Sequence, residues 1–237
     1  LRFLPNFIYD FVRFKKNYSG KFNFSPCLHD RYEEAGITKS EYFWQDLLVA
    51  RWIKKKPPVR HLDIGSRIDG FVAHVSSFRN VEVIDIRPVK NDIPGVIFHQ
   101  ADIMDSEFLK DFKGEGGYCD SLSCLHALEH FGLGRYGDPI NPQGYKVGLS
   151  NMSKLLKANG LLYLSTPIGV ERVEFNANWV FDPRTINRIA LENGLIIKSL
   201  TIFSHKDGIY ELSPSEDNLS NLAKDNYNLG MFTFSKS

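Results

Sequence analysis

Three acidic residues stand at the ends of successive apolar segments whose composition is typical of buried strands. Asp63 ends the first segment, Asp85 ends the second, and Asp102 directly follows the third. Open α/β sheets bind ligands at the carboxyl ends of their strands, where a carboxylate can accept hydrogen bonds from ribose hydroxyls or from an adenine amino group. Each acid alone could simply cap a turn. Three in register predict a nucleoside site, with Asp85 at the ribose and Asp102, beside Ile103, at the adenine.

The turn after Asp63 passes through Gly65 into a predicted helix, which lets the backbone approach a ligand closely. Arg67 stands where the dinucleotide motif G-x-G-x-x-G has its middle glycine, and the chain has no G-x-x-x-x-G-K-[ST] motif. These departures disfavour nicotinamide, flavin and triphosphate sites. A tight turn that binds nothing is the alternative interpretation of this segment.

A segment with two histidines follows the fourth predicted strand. His130 is the first candidate for a general base and His126 the second, because an imidazole titrates near neutral pH. His126 could equally be a hydrogen-bonded histidine at a helix start. Together with Glu129 they form the H-x-x-E-H pattern of some zinc proteases. Since a strand precedes the pattern and Gly132 soon interrupts it, chance similarity is favoured over zinc.

Two loops near these residues could bind an acceptor. The segment from Gly132 to Tyr145 is rich in glycine and proline, and Tyr136 and Asp138 could bind or activate a polar group there. The loop after the fifth predicted strand offers side chains that could bind sugar hydroxyls or stack on a ring, namely Arg172, Asn176, Asn178 and Trp179. Trp179 could instead anchor its loop in the core.

The scaffold that positions these residues is predicted from alternating strand and helix patterns. Apolar strands alternate with helices from Val59 onward, which predicts a mostly parallel sheet with helices on both faces. A helix is expected after Ser40, another ending at Gly160, and a third between Asp182 and Gly194. Residues 1–56 are expected to form an N-terminal cap and helix, and residues 57–237 the main domain, with a single folding unit overall.

Composition argues against two further classes, nucleic-acid-binding proteins and membrane-spanning proteins. The 237 residues carry a net charge of +1, which provides no broad positive field for nucleic acid. No apolar run reaches the roughly 20 residues of a membrane span and no signal peptide is evident, so a cytoplasmic location is expected. The three cysteines form no C-x-x-C pair and are interpreted as reduced thiols.

Taken together, Asp63 with Gly65, Asp85, Asp102 and Asp120 resemble the successive motifs of class I S-adenosylmethionine-dependent methyltransferases. This resemblance implies a doubly wound, Rossmann-like sheet of seven strands, mostly parallel, with an antiparallel C-terminal strand and an N-terminal helical cap. It also implies that S-adenosylmethionine is the cofactor. The residues implied to bind it are Asp63, Gly65, Ser66, Arg67, Asp85, Ile86, Asp102, Ile103 and Leu125.

The segment from Leu125 to Gly144 is similar to a group of bacterial proteins linked to surface polysaccharide synthesis. The expected activity is therefore O-methylation of a sugar or another small polar acceptor, such as a nucleotide sugar. The candidate catalytic residues are His130, Glu129, His126, Tyr136 and Asp138, and no metal is expected. Two alternatives stay open, a nucleoside-binding domain without catalysis and a nicotinamide-dependent oxidoreductase. The sequence leaves the oligomeric state open.

Overall fold

The computed structural model describes residues 4–237, with the exception of the Phe108 side chain. The chain divides into two compact units, Leu1–Thr38 and Lys39–Ser237. The helix predicted after Ser40 therefore falls in the same unit as the sheet, whereas the sequence analysis grouped it with residues 1–56. The division into domains stays a prediction.

The first unit contains one long helix, α1 (Leu4–Lys16), and one turn of 3-10 helix at Asp30–Tyr32. None of the described residues of α1 is buried. The order within this unit comes largely from aromatic contacts, because the Phe11 ring lies 5.3 Å from the Phe22 ring and 4.8 Å from the Phe24 ring. The expected N-terminal helix is therefore present.

The second unit is built on an eight-stranded sheet. Its strands are β1 (His61–Ile64), β2 (Val81–Asp85), β3 (Val96–Gln100), β4 (Cys119–Leu125), β5 (Leu156–Ile168), β8 (Leu195–Ser204), β9 (Gly208–Leu212) and β10 (Asn228–Lys236). They lie in the order β3-β2-β1-β4-β5-β10-β8-β9. Strands β1 to β5 are parallel, and β10 lies antiparallel between β5 and β8. This arrangement confirms the predicted fold class, and β9 adds a strand at the edge.

Helices cover the sheet on both faces. Helix α2 (Glu41–Lys55), a π-helical turn at Ile68–Val72 and α3 (Ala73–Ser76) share one apolar cluster. Helices α4 (Gly144–Leu155), α5 (Pro183–Glu192) and α6 (Glu216–Leu222) contribute to the larger cluster. The central strands bury both faces: all of β1 and all of β4 except Asp120 are buried, polar residues included. No helix of the described chain has the length and apolar character needed to cross a membrane.

The helix boundaries follow the predicted capping residues with one exception. The Ser40 hydroxyl accepts from the Tyr42 amide at the start of α2, and Asp182 accepts from the Arg184 amide at the start of α5. The helix expected to end at Gly160 instead ends at Leu155. That prediction was wrong because Leu156 pairs with Cys119, which draws the chain into β5 before the glycine is reached.

The loop expected after β5 is a small hairpin of β6 (Arg172–Glu174) and β7 (Asn178–Val180). Trp179 lies 5.4 Å from the Tyr145 ring and 6.0 Å from the Phe181 ring. The tryptophan thus packs at the edge of the main core, in agreement with the anchoring alternative for this residue.

Leu122 in the middle of β4 is fully buried, whereas Leu191 on α5 is 62% exposed. We expect Leu122→Ala to lower the free energy of unfolding by about 2–5 kcal/mol, because it removes buried methyl groups and leaves a cavity. Leu191→Ala should change it by less than about 0.5 kcal/mol. Urea unfolding of the two variants checks this, and equal midpoints would contradict the assigned core.

Candidate functional site

A cleft of about 310 Å³ opens at the carboxyl edge of the parallel strands. This volume is at the lower end of the range for small-molecule sites. The cleft is the place where ligands bind in open α/β sheets. Among the residues expected in a site, those that line it are Gly65, Arg67, Asp85, Ile86, Asp102, Ile103, His126, His130, Tyr136 and Asp138.

Asp63 does not line this cleft, contrary to the expectation that three carboxylates share its rim. Its side chain is fully buried and accepts hydrogen bonds from the Ser66 amide at 3.1 Å, the Ser66 hydroxyl at 2.6 Å and the Ser123 hydroxyl at 2.5 Å. The Ser66 hydroxyl also accepts from the Leu125 amide. Burial raises the pKa of Asp63 to about 7, against these hydrogen bonds. Asp63, Ser66 and Leu125 therefore fix the turn that carries Gly65.

The turn itself presents Gly65 and Arg67 to the cleft. Gly65 has a φ of +69°, and an added Cβ would lie 3.0 Å from the Ala127 Cβ, so a side chain is disfavoured at this position. Arg67 pairs with Asp69 through Nε at 3.0 Å and Nη2 at 2.7 Å, and its guanidinium lies 5.6 Å from the Tyr42 ring.

Asp85 ends β2 in the cleft and is held by an arginine that the sequence analysis missed. Its Oδ1 accepts from the Arg87 amide at 2.8 Å and from Arg87 Nε at 2.9 Å, and its Oδ2 accepts from Arg87 Nη2 at 2.5 Å. The same Nη2 also donates to the Gly65 carbonyl at 3.2 Å. The candidate ribose acceptor is thus already paired within the chain.

Asp102 lies beyond β3, at the far end of the same cleft wall. Its Oδ1 accepts from the Met104 amide at 2.8 Å, and burial raises the pKa of the carboxyl group. Within the described residues Oδ2 has no hydrogen-bond partner. Ile86 and the buried Ile103 line the cleft beside it. This part of the cleft combines an acceptor oxygen with apolar walls, as an adenine ring requires.

His126 is a cation and therefore unsuited to act as a base. Its Nδ1 donates to Glu129 Oε1 at 2.6 Å, and its Nε2 lies 3.2 Å from Glu41 Oε1, an ion-pair distance. Although burial lowers the pKa of His126, the two carboxylates together raise it to about 10. The Tyr42 ring stacks on the imidazole at 4.6 Å. This arrangement favours the interpretation of His126 as a structural residue at the base of the cleft.

His130 has the properties of a base. Its Nδ1 lies 2.7 Å from the Ala177 carbonyl, and because a carbonyl oxygen can only accept, Nδ1 carries the hydrogen. Nε2 therefore holds the lone pair. Burial lowers the pKa of His130 below its usual value, outweighing the opposite effect of Glu129. His130 is thus neutral at pH 7, with Nε2 able to accept a proton.

Glu129 is fully buried and lies outside the cleft lining. It accepts from His126 and, at 3.3 Å, from the Thr166 hydroxyl, while its Oε1 lies 3.9 Å from His130 Nε2. Glu129 therefore positions His126 and offers negative charge near His130. Because Glu129 is buried behind the cleft lining, it cannot contact a ligand in the cleft.

The glycine-rich loop after His130 is ordered by Asp138. Its carboxylate accepts from the amides of Gly132, Gly134 and Tyr136 at 2.8, 3.1 and 3.2 Å. The expectation that Asp138 activates an acceptor does not fit this geometry, because its oxygens are used to hold the loop. Tyr136 is 37% exposed and lines the cleft mouth.

The Tyr136 ring lies between charged neighbours. The Arg87 guanidinium lies 4.8 Å and the Arg135 guanidinium 5.2 Å from its centroid, and the His130 ring lies 5.5 Å away. Arg135 also donates to the Ala177 carbonyl at 2.9 Å. Tyr42, Arg87 and Arg135 line the cleft and were not among the predicted site residues. For Arg87 the signal was present, because an arginine two residues after an aspartate can pair with it.

Of the H-x-x-E-H pattern, only Leu128–His130 is helical, as one turn of 3-10 helix, and His126 precedes it with a φ of +52°. Both histidines face Oε1 of Glu129, at 2.6 Å for His126 and 3.9 Å for His130. Within residues 4–237 no group of at least three His, Cys, Asp or Glu side chains has a geometry suited to a metal ion. The pattern does not produce the long helix that the protease motif needs.

Residues 72–207 match a family model described as "Caenorhabditis protein of unknown function, DUF268". This range is more than half of the chain and contains Asp85, Asp102, His126, His130 and Tyr136. The chain belongs to the DUF268 family. No match was found among curated proteins.

Solved structures similar to this DUF268 chain have the class I methyltransferase fold. One is the 1,6-didemethyltoxoflavin-N1-methyltransferase of Burkholderia thailandensis, at 13% identity and a TM-score of 0.53 over 83% of this chain and 79% of that one. Another is the magnesium protoporphyrin IX methyltransferase of Synechocystis, at 14% identity and a TM-score of 0.52 over 83% and 80%. At such identities the likeness establishes the shared fold.

A third structure with the same fold is described as a [4+2]-cyclase, SpnF. It has 13% identity and a TM-score of 0.53 over 81% of the DUF268 chain and 80% of its own. The fold alone therefore does not determine the reaction.

The charge state of His126 can be tested by measuring stability as a function of pH. The folded pKa of about 10 lies above the roughly 6.5 of an unfolded histidine, so the stabilisation is complete below pH 6.5 and is lost as the pH rises toward 10. We expect the difference in unfolding free energy between wild type and His126→Gln to shrink across this window, by at most about 1.4 kcal/mol per pH unit.

Urea unfolding at several pH values between 6.5 and 9.5 measures this difference. His74→Gln is the control, because His74 is exposed on α3. A constant difference between wild type and His126→Gln over the whole range would show that His126 is not held as a cation.

Proposed function

We propose that this DUF268 protein is an S-adenosylmethionine-dependent methyltransferase that acts on an oxygen of a small polar acceptor. The observation that carries the proposal is the placement of Asp85 and Asp102 along one cleft wall at the carboxyl edge of the sheet. The solved structures described as methyltransferases with bound S-adenosylmethionine or S-adenosylhomocysteine support it through their shared fold.

The residues of the cleft fit an adenosyl group. Gly65 gives the backbone close approach at the turn, and Asp85 offers carboxylate oxygens to a ribose. Asp102 Oδ2 can accept from the adenine amino group while Ile86 and Ile103 pack on the ring. When bound, S-adenosylmethionine supplies an electrophilic methyl group on a sulfonium, which needs no metal.

His130 is proposed as the general base at the acceptor end. Its Nε2 takes the proton of the acceptor hydroxyl as the new oxygen–carbon bond forms and the carbon–sulfur bond breaks, leaving a neutral thioether. The Ala177 carbonyl holds the ring in the tautomer needed for this transfer. Once protonated, His130 is stabilised by the Glu129 carboxylate 3.9 Å from Nε2.

The acceptor is proposed to be a sugar or a nucleotide sugar. Tyr136 and Tyr42 line the cleft and can contact a sugar, and Arg135 offers hydrogen-bond donors at the mouth. The similarity of residues 125–144 to proteins linked to surface polysaccharide synthesis agrees with such an acceptor. The link to that process is part of the proposal.

A second candidate is a domain that binds the nucleoside for another purpose. Two observations favour it: Arg87 already pairs with Asp85, and a structure of the same fold is described as a cyclase. Binding of S-adenosylhomocysteine without methyl transfer to any acceptor would support this candidate. Tight binding of a nicotinamide cofactor in place of S-adenosylhomocysteine would contradict both candidates.

Asp85→Asn tests the donor site. We expect the variant to bind S-adenosylhomocysteine about tenfold more weakly or worse by titration calorimetry, because charge-assisted hydrogen bonds to the ribose are lost. Asp182→Asn is a matched control, since Asp182 makes the same kind of pair with Arg184 outside the cleft. Equal affinity in wild type and Asp85→Asn would argue against this ribose site.

His130→Gln tests the base. We expect methyl transfer from tritiated S-adenosylmethionine to a panel of nucleotide sugars, sugar phosphates and phenols to slow by about 10²- to 10⁴-fold, with S-adenosylhomocysteine affinity nearly unchanged. Because the pKa of His130 is lowered, the wild-type rate should be level above pH 7 and fall on acidification. A variant as fast as wild type would remove His130 from the mechanism.

A further inference from the structure

Arg87 makes more contacts than an ordinary surface arginine. Besides its bidentate pair with Asp85, it donates to the Gly65 carbonyl and its guanidinium lies 4.8 Å from the Tyr136 ring. It therefore touches the proposed donor site and the proposed acceptor site at the same time.

The pair with Arg87 conflicts with ribose binding. A carboxylate offers about four lone-pair positions, and three of those of Asp85 are occupied by the Arg87 amide, Nε and Nη2. A ribose presents two neighbouring hydroxyls, and Asp85 is only 8% exposed. One position is left for two hydroxyls, so both can bind this carboxylate only if the guanidinium gives up at least one of its side-chain hydrogen bonds, which opens the bidentate pair.

The Arg87 guanidinium, once released from Asp85, would lie among the groups that surround Tyr136. Arg135 lies 5.2 Å from the same ring and donates to the Ala177 carbonyl. Within the described residues Arg135 forms no ion pair with a carboxylate. Release of Arg87 from Asp85 would thus leave two guanidinium groups without carboxylate partners beside Tyr136, whose ring lies 5.5 Å from that of His130.

Resting on the proposed function, we propose that the acceptor is anionic, carrying a phosphate or carboxylate group, and that donor binding creates its receptor by releasing Arg87 from Asp85. Two guanidiniums with planar arrays of donors suit such an anion. The anion in turn compensates the charge that the broken pair exposes. The donor would therefore bind first and the acceptor second.

A second pair in the chain provides the comparison. Arg184 pairs with Asp182 at the same spacing, with an amide contact of 2.8 Å and an Nη2 contact of 2.5 Å. An arginine two residues after an aspartate thus pairs with it through local geometry alone. Asp85 and Arg87 differ because both line the cleft and because Arg87 also contacts Gly65 and Tyr136.

The proposal requires reciprocal coupling between the two ligands. If donor binding makes the anion site, the anion must tighten donor binding by the same factor that the donor tightens anion binding. Removing the guanidinium should abolish the coupling. It should also tighten donor binding in the absence of the anion, because no pair then has to be broken.

Titration calorimetry of the full chain with S-adenosylhomocysteine, with and without inorganic phosphate at constant ionic strength, tests these consequences. We expect phosphate to tighten binding about fivefold or more in wild type and in the control Arg184→Gln. In Arg87→Gln we expect tighter binding than wild type without phosphate and no effect of phosphate. A parallel series with acetate distinguishes a phosphate from a carboxylate, and coupling by either anion supports the proposal.

The outcomes separate this inference from the proposed function. Absence of S-adenosylhomocysteine binding in wild type would overturn the proposed function. Binding that Asp85→Asn weakens, but that neither anion affects in wild type or that couples equally in Arg87→Gln, would overturn the anion receptor alone. If Arg87→Gln does not fold, Arg87→Lys replaces it. It keeps the charge without the bidentate pair, so coupling should fall below the wild-type value, and undiminished coupling would contradict the proposal.

Discussion

A buried imidazolium between two carboxylates organises the part of the molecule where the cleft lies. His126 joins Glu41 at the start of α2 to Glu129 in the turn after β4, and the Tyr227 hydroxyl donates to Glu41 at 2.8 Å from just before β10. Elements far apart in the sequence are therefore held together by the positive charge of His126. Removing His126 would leave two buried carboxylates without their cation, which costs far more than a surface ion pair contributes. Because Glu129 and His130 belong to the same 3-10 turn, the network also holds the turn that carries His130.

The two carboxylates nearest to the proposed donor show how burial separates the roles of similar residues. Asp63 has no contact with solvent and satisfies its oxygens with serine and amide donors. Asp85 ends the neighbouring strand, two residues beyond the Val83 that pairs with Asp63, and it lines the cleft with an arginine as its partner. Asp63 shapes the loop, and Asp85 is the carboxylate that we propose to bind the ligand.

The sequence was sufficient for features that depend on local pattern. The parallel strands, the caps at Ser40 and Asp182 and the strand-end placement of Asp85 and Asp102 follow from apolar runs and short-range hydrogen bonds. Features that depend on distant contacts could not be found in this way. The charge on His126 depends on the nearby Glu129 and also on Glu41, which precedes it by 85 positions in the printed sequence. The end of α4 at Leu155 depends on pairing with Cys119, and the inward orientation of Asp63 depends on Ser123.

The insertion of β10 between β5 and β8 has a consequence for how the chain acquires its structure. Strands β8 and β9 join the rest of the sheet only through β10, which follows both of them in the chain. Until the ribosome has released β10, β5 and β8 each present a long apolar edge with unpaired backbone groups, a template for pairing with other chains. The nascent protein should therefore depend on chaperones most strongly in the interval between the synthesis of β8 and the synthesis of β10.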